Sequence, residues 1–358
     1  MVEIKLMDQS SSGKEYSPVP GEIKLFTVTN NRDTALVLSN CGAAVVSLNI
    51  KDRNGVLADI VLGYDDPNEY LQDEYYIGTV VGRYANRIDG DTVMIDDQPY
   101  KLSVKPGGYH LHGGNIGFNK KIFSASEFKQ PGRAGVIFKY TSPDMEEGFP
   151  GELQLEVIYT LDDDDNWIIE YKAVCNKTTL INLTQHTYFN LSGKPSDTID
   201  GHELKISGNY YLPVNNRQVP TGKLEKVEDT PFDFSQFKKI AKDITQDNEQ
   251  LQLSHGYDHS FVLEHHHTPA LKHAAVVKET ASGRRMDVYT TEPAIHFYSG
   301  NFLENIRGKN GVIYNKRAGF CLETQHFPDA PNQPHFPTTI LNAGEKFYSK
   351  TIFKFSVE

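Results

Sequence analysis

Leu153-Gln-Leu-Glu-Val-Ile-Tyr-Thr-Leu161 runs into Asp162-Asp-Asp-Asp-Asn166 and leaves through Trp167-Ile-Ile-Glu-Tyr-Lys-Ala-Val-Cys175. Two β-rich arms around a polar cluster read as a hairpin. The aspartates form the turn, since Asp and Asn tolerate tight-turn backbone angles and bond their own main chain. They do not make a calcium loop, because no glycine stands at the sixth position.

Outward from this hairpin the same pattern recurs. Leu25–Thr29, Ala35–Leu38 and Ala43–Ile50 are short β-rich runs, split by Asn30-Asn-Arg-Asp33 and Asn40-Cys-Gly42. Pro and Gly punctuate the chain about every ten residues. Helical periodicity is confined to Asp66–Asp73 and Phe234–Asp247. No 20–50-residue repeat and no Gly/Ser linker divides the chain. The expected fold is all-β: one large antiparallel β-sandwich domain over residues 1–358, with few short helices.

The net charge of −11 comes with no basic block. That argues against nucleic acid or an anionic membrane as partner, because both need clustered Lys and Arg. Cys41, Cys175 and Cys321 are odd in number and sit in apolar contexts. They read as buried free thiols in a reducing compartment. Met1–Met7 has no signal-like apolar run and no stretch of 18 apolar residues exists, so a cytoplasmic protein is expected. Without a Walker A sequence, a Gly-rich turn opening a helix or a Gly-x-Ser-x-Gly elbow, no nucleotide cofactor is expected.

Candidate chemistry begins at Gly319-Phe-Cys-Leu-Glu-Thr-Gln-His-Phe-Pro-Asp-Ala-Pro-Asn-Gln-Pro-His-Phe-Pro337. A short strand delivers Glu323, and four prolines then stiffen the chain. Glu323 is either a braced functional carboxylate or a solvated loop residue. In Ile181–Asn190, apolar residues alternate with Asn182, Thr184, His186 and Tyr188, so one face of a strand collects hydrogen-bonding groups. Such a face is either solvent-exposed or the floor of a sugar site. His110-Leu-His112 would share a strand face, but no third metal ligand follows locally, so no metal is expected. The Gly113-Gly114 pair lets backbone or ligand approach His112 closely. His265-His-His267 with His273 reads as a solvated hairpin tip. Asn86, Arg87 and Asp258 are weak signals singly; together they suit a neutral polyol.

Together these stretches resemble the galactose mutarotase (aldose 1-epimerase) family. The likeness rests on Val61-Leu-Gly-Tyr-Asp65, Gly82-Arg-Tyr-Ala-Asn-Arg-Ile88, Leu111-His-Gly-Gly114 with Gly117-Phe118, and Gln185-His-Thr-Tyr-Phe-Asn-Leu191. Tyr257-Asp-His259, Phe297-Tyr-Ser-Gly-Asn301 and Cys321-Leu-Glu-Thr-Gln325 complete it, from about Asn40 to the C-terminus. The resemblance implies a β-supersandwich with a groove across one sheet, Glu323 as catalytic base and His186 as catalytic acid. It implies that His112, Asp258, Asn86 and Arg87 hold a free aldose such as galactose or glucose, with Tyr188 nearby. It further implies no cofactor and a cytoplasmic, sugar-handling enzyme; the expected state is a monomer or homodimer. Many relatives carry Gln where His296 stands and Asn-Trp where His326-Phe327 stand; His296 would line the sugar site. A glycosidase, a non-catalytic sugar binder and a hexose-6-phosphate epimerase are the competing readings.

Overall fold

The hairpin of residues 153–175 forms the third and fourth strands of a nine-stranded antiparallel sheet in the computed structural model, which describes residues 2–7, 22–264 and 270–358. In spatial order the sheet runs Ser124–Gln130, Arg133–Ser142, Leu153–Asp162, Asn166–Cys175, Lys346–Val357, Arg284–Thr290, Lys272–Lys278, Glu203–Ile206 and Lys238–Lys239. Alternation explains its inner face: Leu153, Leu155, Val157, Tyr159 and Leu161 are buried, as are Trp167, Ile169 and Tyr171 on the return arm. Trp167 stacks on Phe353 at 5.0 Å between centroids. Each large side chain buried here contributes roughly 1.5–3 kcal/mol. The aspartate run is the turn: Asp162 Oδ1 accepts from the Asp164 and Asn166 amides.

A second sheet of five strands carries the groups of interest, in the order Glu225–Lys226, Tyr210–Tyr211, Asp258–Val262, Ala294–Tyr298 and Cys321–Gln325. A third, at the N-terminal end, pairs Glu3–Met7, Leu25–Thr29, Ala35–Ser39, Val45–Lys51 and Leu57–Asp59. The all-β expectation holds. Among the described residues there are two short α-helices, Glu69–Gln72 and Glu249–Ser254, and no helix is long and apolar enough to cross a membrane. The three cysteines are buried and free.

Three local expectations are corrected. Phe234–Asp247 is not a helix: Lys238–Lys239 pairs with Glu203–Leu204, and a single 3₁₀ turn follows at Ile240–Lys242. Buried Lys238 spoils the amphipathic reading, its ammonium donating to the Pro231 carbonyl at 2.6 Å and meeting Asp243 at 2.9 Å. The nearby helix starts instead at Glu249, where Asn248 caps the Gln250 and Leu251 amides. Ile181–Asn190 contains only the strand Thr184–Gln185 and is otherwise extended and irregular. Glu323 sits mid-strand within Cys321–Gln325, not at a strand end. The expected tip at His265–His267 lies outside the described residues; His273 is on a strand, 3.1 Å from Asp287.

Candidate active site

Register builds the site. Ser260 pairs with His296 and His296 with Glu323 in one cross-strand row; Asp258, Tyr298 and Cys321 form the next. Positions two apart on a strand share a face, so all six side chains project from the same side of this sheet. Phe261, Phe297 and Leu322, at intervening positions, enter the apolar core. The polar face is buried too, which rules out the solvent-exposed reading: Glu323 is 1% and His186 4% exposed.

Irregular chain brings the remaining groups over this face. His112 leaves the strand Tyr109–Leu111 at a left-handed φ of 48°. It therefore parts from His110, which packs against Phe149 and lies 2.8 Å from the Ser103 carbonyl. The expected shared face of the two histidines is thus broken by one residue's backbone angle. Gly113 permits the bend: at φ +86°, an added Cβ would sit 1.8 Å from the Gly82 carbonyl oxygen. Asn86 is also left-handed, and its amide donates to His112 Nδ1 at 3.2 Å. The neutral His112 ring therefore carries its proton on Nε2. The proline-braced loop after Glu323 supports this segment, Asp329 N–H donating to the Arg87 carbonyl at 2.8 Å.

All eight residues singled out in the sequence meet here. His186 Nε2 is 3.6 Å from Glu323 Oε1, and the His112 and His186 rings are 5.3 Å apart. His296 Nε2 is 2.7 Å from Asp258 Oδ1, and Arg87 Nη2 is 3.9 Å from Asp258 Oδ2. Asn86 Nδ2 lies 3.4 Å from the His296 ring. Tyr188 packs on His186 at 5.0 Å, but its hydroxyl donates to the Tyr75 carbonyl at 3.0 Å, so it walls the His186 ring. His326, by contrast, pairs with Glu292 at 2.7 Å.

Electrostatics separate the two carboxyls. Burial pushes Glu323 well above the usual carboxyl range, the Asp258 charge adds to this, and Arg87 opposes it. Burial would raise Asp258 too, yet the His296 hydrogen bond and charge, with Arg87, outweigh it and hold Asp258 at about 2. Burial lowers His186 to about 4 and takes His112 well below its ordinary value. Glu323 Oε2 is buried with no hydrogen-bond partner among the described residues. A buried orphan oxygen of this kind is costly unless a ligand hydroxyl meets it. His112, His186 and Glu323 place donor atoms within 4.8 Å of one another, so the third metal ligand missing locally is supplied from far along the chain.

Sequence reasoning missed three neighbours. Cys321 Sγ is 3.5 Å from His186 Nδ1, Ser260 Oγ is 2.9 Å from His296 Nδ1, and the Tyr76 ring lies 4.6 Å from His112. Period-two counting back from Glu323 and forward from Asp258 finds the first two. No pattern in the sequence marks Tyr76.

An all-β chain that sets a raised carboxyl 3.6 Å from a neutral imidazole holds the kind of pair that acid/base chemistry uses. The chain is a member of the aldose 1-epimerase family, whose model matches residues 24–354. It is similar to the galactose mutarotase of Bos taurus, 42% identical over 340 residues, covering 94% of this chain and 95% of that one. It is also similar to the aldose 1-epimerase of Escherichia coli (strain K12), 36% identical over 337 residues, with 94% and 96% covered. Among solved structures, the GalM/aldose epimerase homologue from C. elegans superposes with a TM-score of 0.83 at 31% identity, covering 92% of this chain and 97% of that one. The galactose 1-epimerase from Lactobacillus acidophilus NCFM gives 0.86 at 25% identity, with 100% and 99% covered.

Asp258 bears two constraints on its carboxylate, from His296 and Arg87, which suits it to accept from a ligand hydroxyl. Replacing Asp258 with Asn removes a charge-assisted acceptor, so KM for galactose should rise about 10- to 100-fold with a smaller change in kcat. An unchanged KM in steady-state polarimetry removes Asp258 from ligand binding.

Proposed function

We propose that this protein interconverts the α and β anomers of free hexoses such as galactose and glucose, with Glu323 as base and His186 as acid. The observation that carries this reading is the 3.6 Å approach of His186 Nε2 to Glu323 Oε1, both buried. Mutarotation takes a proton from the anomeric hydroxyl and gives one to the ring oxygen. It needs one acid and one base and no redox chemistry.

Burial leaves the pair's single transferable proton on Glu323, with His186 neutral. Transfer of that proton to His186 arms the site. Glu323 then accepts the O1 proton while His186 hands its proton to the ring oxygen, breaking the C1–O5 bond to give the open-chain aldehyde. Rotation about C1–C2 and the reverse transfers close the ring on the other face. Acid and base exchange roles on closure, so no proton is gained or lost. His112, Asp258, Asn86, Arg87 and His296 hold the hydroxyls and fix C1 between the pair.

A pH consequence follows from the direction of the His186 shift. Burial keeps a second proton off His186 until the pH falls to about 4. Below that a second proton binds, no base remains, and kcat/KM should fall tenfold per pH unit. An acid limb centred near the ordinary histidine value, about 6.5, would contradict the assignment.

Of the two arginines, Arg83 and Arg87, that a hexose 6-phosphate reading could use for its phosphate, Arg83 is buried and donates to the Pro150 and Gly151 carbonyls at 2.9 and 3.0 Å. Treating the chain as one folding unit is supported by a core cluster reaching from Val2 to Phe355. A cytoplasmic setting is supported by three unbridged cysteines. The test is polarimetry of freshly dissolved α-galactose beside release of a chromogenic aglycone. Faster mutarotation without aglycone release is expected; aglycone release without faster mutarotation would mark a glycosidase.

A further inference from the structure

Tyr76 occupies the left-handed region at φ +59°, where a bulky side chain is strained. Such strain persists only when surrounding structure imposes it, and here that structure is visible. The buried Asp73 carboxylate accepts from the Tyr75 amide at 3.1 Å and the Ile77 amide at 2.7 Å, bracketing Tyr76 on both sides. The Gly78 amide donates to the His186 carbonyl at 3.0 Å, and the His186 amide to Thr79 at 2.9 Å. The Tyr188 hydroxyl holds the Tyr75 carbonyl. The turn is thus stitched to the chain that carries the acid group. It lays the Tyr76 ring 4.6 Å from His112 and 5.9 Å from His186.

The ring is only half-buried, and its hydroxyl makes no hydrogen bond to any described residue. Arg87, which also reaches Asp258, is close enough to act on it electrostatically. A strained, braced phenol with an unused hydroxyl beside the site is placed for a ligand.

We propose that Tyr76 is a specificity-determining residue whose hydroxyl hydrogen-bonds the exocyclic hydroxymethyl group of a hexose. The inference rests on the acid role given to His186. The acid must lie beside the ring oxygen, and the ring oxygen adjoins C5, which bears the hydroxymethyl. A side chain packed over both His112 and His186 therefore meets that end of the sugar rather than the end gripped by Asp258 and His296.

The experiment pairs Tyr76→Phe, which keeps the ring and its packing, with two substrates: D-galactose and its 6-deoxy analogue. For galactose, KM should rise about five- to tenfold, the loss of one hydrogen bond, with kcat nearly unchanged. For 6-deoxygalactose, whose missing oxygen already forfeits the contact, Tyr76→Phe should change nothing. Equal factors for the two sugars, an unaltered KM for both, or a loss confined to kcat would overturn the proposal. Failure of the wild-type protein to mutarotate galactose would instead defeat the function assigned above, so the two failures are distinguishable.

Discussion

Glu323→Gln should lower kcat for galactose mutarotation by about 10³-fold, within the roughly 10²–10⁴ range that one general base supplies. The amide keeps the carboxyl's size and hydrogen-bonding reach but cannot take up the anomeric proton. Loss of fold is not the cause to expect, and linkage gives the sign. In the folded protein burial raises the Glu323 carboxyl well above its ordinary value. Above about pH 4.5 the unfolded chain ionises this group while the folded chain does not, so wild-type stability is eroded as pH rises past that value. Gln carries no such cost. Its melting temperature at pH 7 should equal or exceed that of wild type, with the gain vanishing below about pH 4. A folded variant that turns over normally would remove Glu323 from the role of base, and a melting temperature well below that of wild type would contradict the linkage argument.

His186→Asn should cost turnover on a similar scale, about 10²–10⁴-fold. The histidine gives the opposite lesson about pH. Its folded value is depressed to about 4 by burial, so as pH falls from about 6.5 the unfolded chain takes up a proton that the folded chain refuses. Wild type loses stability through that window, and Asn at this position should lose less. His110 and His202 are depressed to about 4 and His259 to about 3 by the same burial, so the acid sensitivity of the whole fold is shared. The single variant should therefore flatten only part of the curve. Because acid and base act as a unit, the double variant with Glu323→Gln should be little worse than the poorer single one. Strictly additive losses measured by polarimetry would indicate two independent groups.

Most of the strand content was readable because turn chemistry and β-branched runs are local. Leu25–Thr29 matches its expected bounds, and the hairpin of residues 153–175 differs by one residue on each arm. What was not readable depends on distant pairing. Nothing near Asp258 announces that its strand lies beside His296, or that His296 faces Glu323. Those neighbours are 38 and 27 positions apart and are joined only by sheet register. The His110–His112 pair misled for a local reason, a left-handed residue that a period-two count cannot foresee. Phe234–Asp247 misled because apolar spacing resembles a helix until the buried partners of Lys238 are known. Tyr76 escaped because its importance comes from a backbone angle and a clamp by Asp73, neither of which has a compositional mark.

The central claim is that one imidazole and one carboxyl flank a single anomeric carbon. A crystal structure of the Glu323→Gln protein with galactose bound tests it most directly. The expected complex has the ring oxygen within hydrogen-bond reach of His186 Nε2 and the anomeric hydroxyl within reach of the residue at 323, both at about 2.6–3.2 Å. Galactose seated elsewhere, or turned so that only one of the two side chains reaches C1 and its oxygens, would contradict it.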